Sequence, residues 1–123
     1  MRGQDPMRYV LGQWKAAFDG HETDVIANLF TPDAVFQGFG PAVIVGREAI
    51  RGYYDAVPSN RSADLTIVHT YAIGEDVAGG FVDVTFSDPA GWEAAVHLSL
   101  VLQRTDGKWL IRQYHVSQVM TQH

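Results

Sequence analysis

The sequence predicts an α+β domain in which helices cover one face of a curved, mainly antiparallel sheet. Helical spacing of apolar residues dominates up to Val57, whereas four runs rich in Val, Ile, Thr, Phe and Tyr follow from Asp64 onward. An Asp106-Gly107 pair joins the last two runs, and this dipeptide between apolar runs is a strong hairpin signal. Helices followed by strands with short links are typical of α+β domains with antiparallel neighbours.

Three helices are predicted in the first half of the chain. Apolar residues recur every three or four positions over residues 8–18, and Gly20 is suited to end that helix. A second, shorter helix follows the capping residues Thr23-Asp24 and runs through Phe30 until Pro32 stops it. A third helix is predicted over residues 46–57.

The strand predictions depend on turn residues. A short strand is expected over 34–37, before an irregular loop that contains Gly38, Gly40 and Pro41. Longer strands are expected over about 64–73, 78–87, 93–104 and 108–118, separated by segments with turn chemistry.

Composition indicates one domain and excludes several classes of partner. The chain has 123 residues, of which 46% are hydrophobic, enough for a single core. Residues 1–6 are interpreted as the remnant of an expression tag, and residues 7–123 as the domain. A net charge of -5 argues against nucleic acid and anionic membranes as partners, and no apolar run has the ~20 residues of a membrane span.

No cofactor, metal or disulfide is expected. The chain has no cysteine, which also fits a cytoplasmic protein. It contains no glycine-rich phosphate loop, nucleophile elbow or dinucleotide fingerprint. The strand histidines His69, His97 and His115 lack the spacing of a zinc site.

Several short motifs in a fixed order resemble a known superfamily. They are Phe30-Thr-Pro-Asp-Ala-Val-Phe36, Gly46-Arg-Glu-Ala-Ile-Arg-Gly-Tyr-Tyr54, Ile73-Gly-Glu-Asp76, Arg104-Thr-Asp-Gly-Lys-Trp109 and Tyr114-His-Val-Ser117. From about Met7 onward the chain resembles the cone-shaped α+β barrels of the nuclear transport factor 2-like superfamily. The last three motifs are especially similar to the association domain of calcium/calmodulin-dependent protein kinase II and its small bacterial relatives.

The resemblance implies a fold but leaves the function open. The superfamily contains ketosteroid isomerases, scytalone dehydratase, SnoaL-like cyclases and oligomerisation hubs. It implies a conical pocket between the helices and the concave sheet, and a homodimer formed through the outer face of the sheet.

The turn of the last hairpin decides which polar residues face that pocket. A three-residue loop with a bulge at Gly107 would pair Leu100 with Arg112 and would place Arg112 and Tyr114 inside. A two-residue turn would instead place Gln113 and His115 inside. We favour the bulged loop.

A ligand site can be predicted on this basis. The residues spaced to line the open end of the cone are Trp14, Phe18, Phe36, Tyr53 and Tyr54, although each is also a plausible core residue. Arg112 and Tyr114 would anchor a small apolar or weakly anionic molecule. Alternatively, Arg112 pairs with Asp83 or Glu93 for structural reasons.

Asp83, His97 and His115 are the candidates for catalysis. In an apolar cone the pKa of Asp83 would rise, and the resemblance implies general acid-base chemistry of the ketosteroid isomerase or SnoaL-like kind. However, the apolar face of that strand carries Val82 and Val84, which leaves Asp83 outside unless Gly79-Gly80 forms a bulge. An Asp83–His97 contact at a subunit interface is the alternative.

Three functions therefore remain. The first is binding of a small molecule in a conical, mostly apolar pocket. The second is a cofactor-independent isomerase, dehydratase or cyclase. The third is an oligomerisation module with a vestigial pocket.

Overall fold

The computed structural model describes residues 5–119, which form three helices and six strands. The helices are α1 (Pro6–Asp19), α2 (Thr23–Ala27) and α3 (Arg47–Asp55). The strands are β1 (Phe30–Gln37), β2 (Ile44–Val45), β3 (Ser62–Ile73), β4 (Val77–Ser87), β5 (Glu93–Thr105) and β6 (Lys108–Gln118). None of the helices in this part of the chain is long and apolar enough to cross a membrane.

All strands belong to one curved sheet with the order β2-β1-β6-β5-β4-β3. β1 runs parallel to β6, and every other neighbouring pair is antiparallel. The sheet does not close, because β2 and β3 remain at its edges. The predicted α+β class is confirmed, with helices on the concave face of a sheet that is open rather than a complete barrel.

The first helix begins earlier than predicted. Pro6 occupies its first turn, and the Asp5 carboxylate caps it by accepting hydrogen bonds from the backbone N–H groups of Met7 and Arg8. Asp5 and Pro6 thus belong to the fold although they fall within the predicted tag remnant. Residues 1–4 lie outside the described residues, and the origin of this segment stays a prediction.

Tertiary pairing changes the predicted boundary between α2 and β1. The helix ends at Ala27, and Phe30 opens a strand instead of closing the helix. Phe30 pairs with Ile111 of β6, and the Ile111 N–H donates to the Leu29 carbonyl at 2.7 Å. The loop after β1 also contains β2, which was not predicted because glycine and proline are typical of irregular loops.

Apolar and polar residues separate cleanly between the two faces of the sheet. The concave face, beneath the helices, carries buried apolar residues, among them Val82, Val84, Leu98, Leu100 and Leu102. The convex face carries the residues that alternate with them, including Phe81, Asp83, His97 and Ser99. Helix α1 seals the concave side with Trp14, which is 0% exposed.

The last hairpin follows neither predicted register throughout. Asp106 and Gly107 both have positive φ, at 53° and 79°, and form a two-residue turn that pairs Thr105 with Lys108. The register then shifts, so that Arg112 is an extra residue on β6, and beyond it Leu100 pairs with Tyr114.

The predicted pairing of Leu100 with Arg112 is therefore wrong, as is the three-residue loop. Tyr114 nevertheless faces inward and His115 outward. The bulge at Arg112 compensates for the shorter turn. The turn has one residue fewer than predicted and the bulge adds one unpaired residue, so the two shifts in register cancel beyond Arg112.

Candidate functional site

A small cavity lies at one end of the concave face, between α1, α3, β4 and β6. Its walls are Phe18, Phe39, Tyr53, Tyr54, Val57, Arg61, Phe86, Trp92, Tyr114 and Val116. Its volume is about 40 Å³, which holds on the order of a few water molecules. Any larger ligand requires the walls to move.

The predicted aromatic wall divides into two layers. Phe18, Tyr53, Tyr54 and Tyr114 line the cavity. Trp14 and Phe36 lie behind them as core residues, because Trp14 stacks on Phe18 at 5.0 Å and Phe36 on Tyr114 at 4.4 Å between ring centroids. The second layer shapes the cavity without touching its contents.

Arg112 does not line the cavity, contrary to the expectation that it would face inward. Its Nη1 donates to the Asp33 carbonyl at 3.2 Å, and its Nη2 lies 3.6 Å from the Asp33 carboxylate. The bulge turns this side chain away from the cone and toward β1. It has the structural partner that a charged group requires, but the partner is Asp33 rather than Asp83 or Glu93.

Two buried tyrosines supply polar groups to the cavity. Trp14 Nε1 donates to the Tyr54 hydroxyl at 3.1 Å. Burial, followed by the neighbouring Tyr114 hydroxyl, raises the pKa of Tyr54 well above its usual value, and burial also raises the pKa of Tyr114. Both hydroxyls therefore keep their protons at neutral pH and can serve as hydrogen-bond donors.

The mouth of the cavity is formed by residues that the sequence patterns did not single out. Arg61 follows α3, and its guanidinium carbon lies 3.7 Å from the centroid of the Trp92 ring. Trp92 is held in the β4–β5 turn, where the Asp88 carboxylate accepts from the N–H groups of Ala90 and Trp92. The sequence signal that could have indicated Trp92 is a large aromatic residue directly after the turn segment Asp88-Pro-Ala-Gly91.

The three predicted catalytic residues lie on the convex face, away from the cavity. Asp83 and His97 are cross-strand partners, with Oδ1 and Nδ1 2.9 Å apart and side chains 57% and 58% exposed. His115 is also exposed and pairs with Ser99.

The glycine pair does not bring Asp83 inward. β4 pairs with β5 without interruption, so Gly79-Gly80 forms no bulge there, and the irregularity lies in β3 at Val68 instead. Within residues 5–119, no three His, Asp or Glu side chains are grouped closely enough to hold a metal ion.

Comparison with known proteins identifies the family. The SnoaL-like domain model matches residues 11–111. None of the curated proteins matches the chain.

Solved structures share the fold at low sequence identity. A protein from Xanthomonas campestris assigned as a calcium/calmodulin dependent protein kinase II association domain is 24% identical, with a TM-score of 0.80, over 92% of this chain and 85% of that chain. A ketosteroid isomerase-like protein from Erwinia carotovora atroseptica is 20% identical, with a TM-score of 0.79, over 93% and 94%. A nuclear transport factor 2-like protein with a cystatin-like fold from Novosphingobium aromaticivorans is 15% identical, with a TM-score of 0.81, over 93% and 80%. The chain belongs to the SnoaL-like domain family and shares the fold of nuclear transport factor 2-like proteins.

Proposed function

We propose that the protein binds a small, largely apolar molecule in the cavity at the end of the concave face. The observation that carries this proposal is the composition of the walls, which are aromatic and aliphatic except for the tyrosine hydroxyls and one arginine. Small-molecule sites typically combine such apolar walls with a few polar groups that orient the ligand. The SnoaL-like family membership supports the same conclusion.

Binding requires the cavity to expand, and its mouth is suited to that. Phe39 lies in the loop between β1 and β2, is 44% exposed, and meets Phe86 edge to face at 5.6 Å between ring centroids. Trp92 lies in the β4–β5 turn. A ligand that displaces these two loop side chains would enter beside the buried tyrosines without disturbing the core layer of Trp14 and Phe36.

Binding is better supported than proton-transfer catalysis. A ketosteroid isomerase-like structural neighbour raises the catalytic alternative. Among the described residues, however, no Asp, Glu or His lines the cavity, and Asp83, His97 and His115 are on the opposite face. The tyrosine hydroxyls hold their protons too strongly to act as bases at neutral pH.

Binding can be tested with indole as a neutral probe, followed by chemical-shift changes in ¹⁵N-labelled protein. We expect the changes to cluster at the cavity walls, and we expect Val57→Phe, which fills the cavity, to abolish them. Val68→Phe places the same ring at a position that is 58% exposed and serves as the matched control. Changes on the convex face only, or equal changes in the Val57→Phe variant, would contradict the proposal.

The exposed apolar residues of the convex face support a second function, assembly. Phe81 is 56% exposed on β4, and Tyr71 is 45% exposed on the neighbouring edge strand β3. A structural neighbour is assigned as an association domain. We propose a homodimer in which the convex faces of two chains meet. Exposed apolar patches mark interaction surfaces, and a twofold dimer pairs the same patch of both subunits.

The dimer can be tested by analytical ultracentrifugation of the wild type and of Phe81→Arg. We expect the wild type to sediment as a dimer and the variant as a monomer. Val25→Arg, at an apolar residue of α2 that is 46% exposed, should remain dimeric. A monomeric wild type, or a dimeric Phe81→Arg variant, would exclude this interface.

A further inference from the structure

Arg61, at the mouth of the cavity, lacks the carboxylate partner that several other basic residues have. Arg51 lies 2.6 Å from Asp24, Arg104 lies 3.0 Å from Asp76, and Lys15 lies 3.0 Å from Asp19. Within residues 5–119, no carboxylate oxygen lies within 4.0 Å of an Arg61 nitrogen. In a chain with a net charge of -5, this cation is left without an anion although carboxylates outnumber basic groups.

The guanidinium of Arg61 has an unsatisfied hydrogen-bond donor. The Nε atom is buried and has no hydrogen-bond partner in the described structure. The face of the guanidinium lies on the Trp92 ring at 3.7 Å, an arrangement favoured by the negative face of the indole. Guanidinium N–H groups point outward in the plane of the group, so stacking uses its face and leaves the donors free.

An anion with a flat apolar body suits this site, because its charged group can bind Arg61 while its body packs against the apolar walls. A carboxylate can accept two parallel, charge-assisted hydrogen bonds from a guanidinium, and its single negative charge matches the single positive charge of one arginine. The rest of the cavity, including Phe18, Phe86 and Val116, provides an aromatic and aliphatic surface for a ring. Phosphate is a poorer fit, because its greater charge would meet a single cation.

We propose that the cavity selects small aromatic carboxylates, with Arg61 as the carboxylate-binding residue and Trp92 as the platform that orients it. The inference rests on the proposed binding function and names its ligand class. The anion anchor is thus on the segment after α3, and not at Arg112, whose side chain already contacts Asp33.

The test compares phenylacetate with phenylacetamide, which has nearly the same shape but no charge. In calorimetric titrations at neutral pH, we expect the wild type to bind phenylacetate at least about tenfold more tightly than the amide. Arg61→Gln should bind both probes equally and weakly. Arg8→Gln, at an exposed position of α1, should keep the wild-type preference.

A second variant and a spectroscopic measurement keep the test decisive. If Arg61→Gln does not fold, Arg61→Lys retains the charge but loses the two-pronged geometry, and its preference for phenylacetate should fall severalfold. The indole N–H resonance of Trp92, assigned with Trp92→Phe, should shift with phenylacetate.

The possible failures are distinguishable. Equal affinity of the wild type for the two probes would overturn the carboxylate inference and leave the binding function standing. A preference for phenylacetate that persists in Arg61→Gln would assign the anion to another residue and overturn the role of Arg61. Tighter binding of inorganic phosphate than of phenylacetate would overturn the ligand class. If neither probe nor indole binds, the proposed function itself fails.

Discussion

Two polar pairs of similar length lie on opposite faces of the sheet and have different consequences. On the concave side, Trp14 Nε1 donates to the Tyr54 hydroxyl at 3.1 Å within the core. On the convex side, Asp83 and His97 are 2.9 Å apart, and each side chain is more than half exposed. If the exposed pair separates, water can hydrogen-bond to both groups. If the buried pair separates, its groups stay without a partner, because water does not reach them. Burial, rather than distance, distinguishes the contact that organises the cavity.

The largest effect on stability is expected from the removal of the Trp14 side chain. Trp14→Ala should lower the free energy of unfolding by about 3–5 kcal/mol, because it removes a fully buried ring and the donor to Tyr54. Phe81→Ala, on the convex face, should cost less than about 1 kcal/mol in the monomer. Urea unfolding of both variants measures this contrast, and equal losses would contradict it.

Adjacent glycines of β4 allow the two faces to be compared with the same substitution. A Cβ at Gly80 would clash with the backbone carbonyl oxygen of His69, whereas a Cβ at Gly79 would meet the end of the Tyr71 side chain. Gly80→Ala should therefore cost about 1–3 kcal/mol, since backbone must move, and Gly79→Ala should cost less because a ring can rotate. Thermal unfolding of the two variants should rank them in that order; the reverse order would show that Tyr71 is held rigidly.

The buried tyrosines predict a loss of stability at high pH. The pKa of Tyr114 is raised in the folded state by burial, whereas in the unfolded chain tyrosine ionises near ~10. Above that pH the unfolded state binds fewer protons than the folded state, so stability is retained below pH ~10 and then falls by up to about 1.4 kcal/mol per pH unit for each such group. Tyr114→Phe should reduce this slope, because it removes one of the groups whose pKa burial raises. Urea titrations between about pH 8 and about pH 11 measure this slope. Identical slopes for the wild type and Tyr114→Phe would contradict the assignment.

The smallest effect is expected for the exposed pair. Asp83→Asn should change the free energy of unfolding by no more than about 1 kcal/mol at a concentration at which the chain is monomeric. Urea unfolding checks this, with Asp76→Asn as a comparable exposed partner of Arg104. A loss of several kcal/mol would mean that the pair is enclosed in a way that its exposure does not indicate.

Much of the fold was predictable because its signals are local. The four long strands were bounded by turn residues, and their limits agree with the structure to within about two residues. The N-terminal cap at Asp5 was missed because the segment was interpreted as a tag. Phe30 was assigned to the wrong element because its strand depends on pairing with β6, which is remote in sequence.

The site was only partly predictable. Aromatic residues at helical spacing correctly indicated Phe18, Tyr53 and Tyr54 as cavity walls. Arg61 and Trp92 were not found, because they lie on different connections and meet only through the tertiary fold. A bulge has no obligatory residue type, so the position of Arg112 could not be inferred from alternation alone.

The bulge at Arg112 determines which side chains of β6 reach the cavity. If β6 continued from the Asp106-Gly107 turn without this bulge, Tyr114 would lie opposite Ser99 instead of Leu100, and Gln113 and His115 would face inward in place of Tyr114 and Val116. Deleting Arg112 would have no such effect, because Tyr114 would still pair with Leu100 in a regular strand. The unpaired residue therefore lets a two-residue turn and an aromatic cavity coexist in one hairpin, and a register that lost the bulge but kept Arg112 would line the cavity with a histidine.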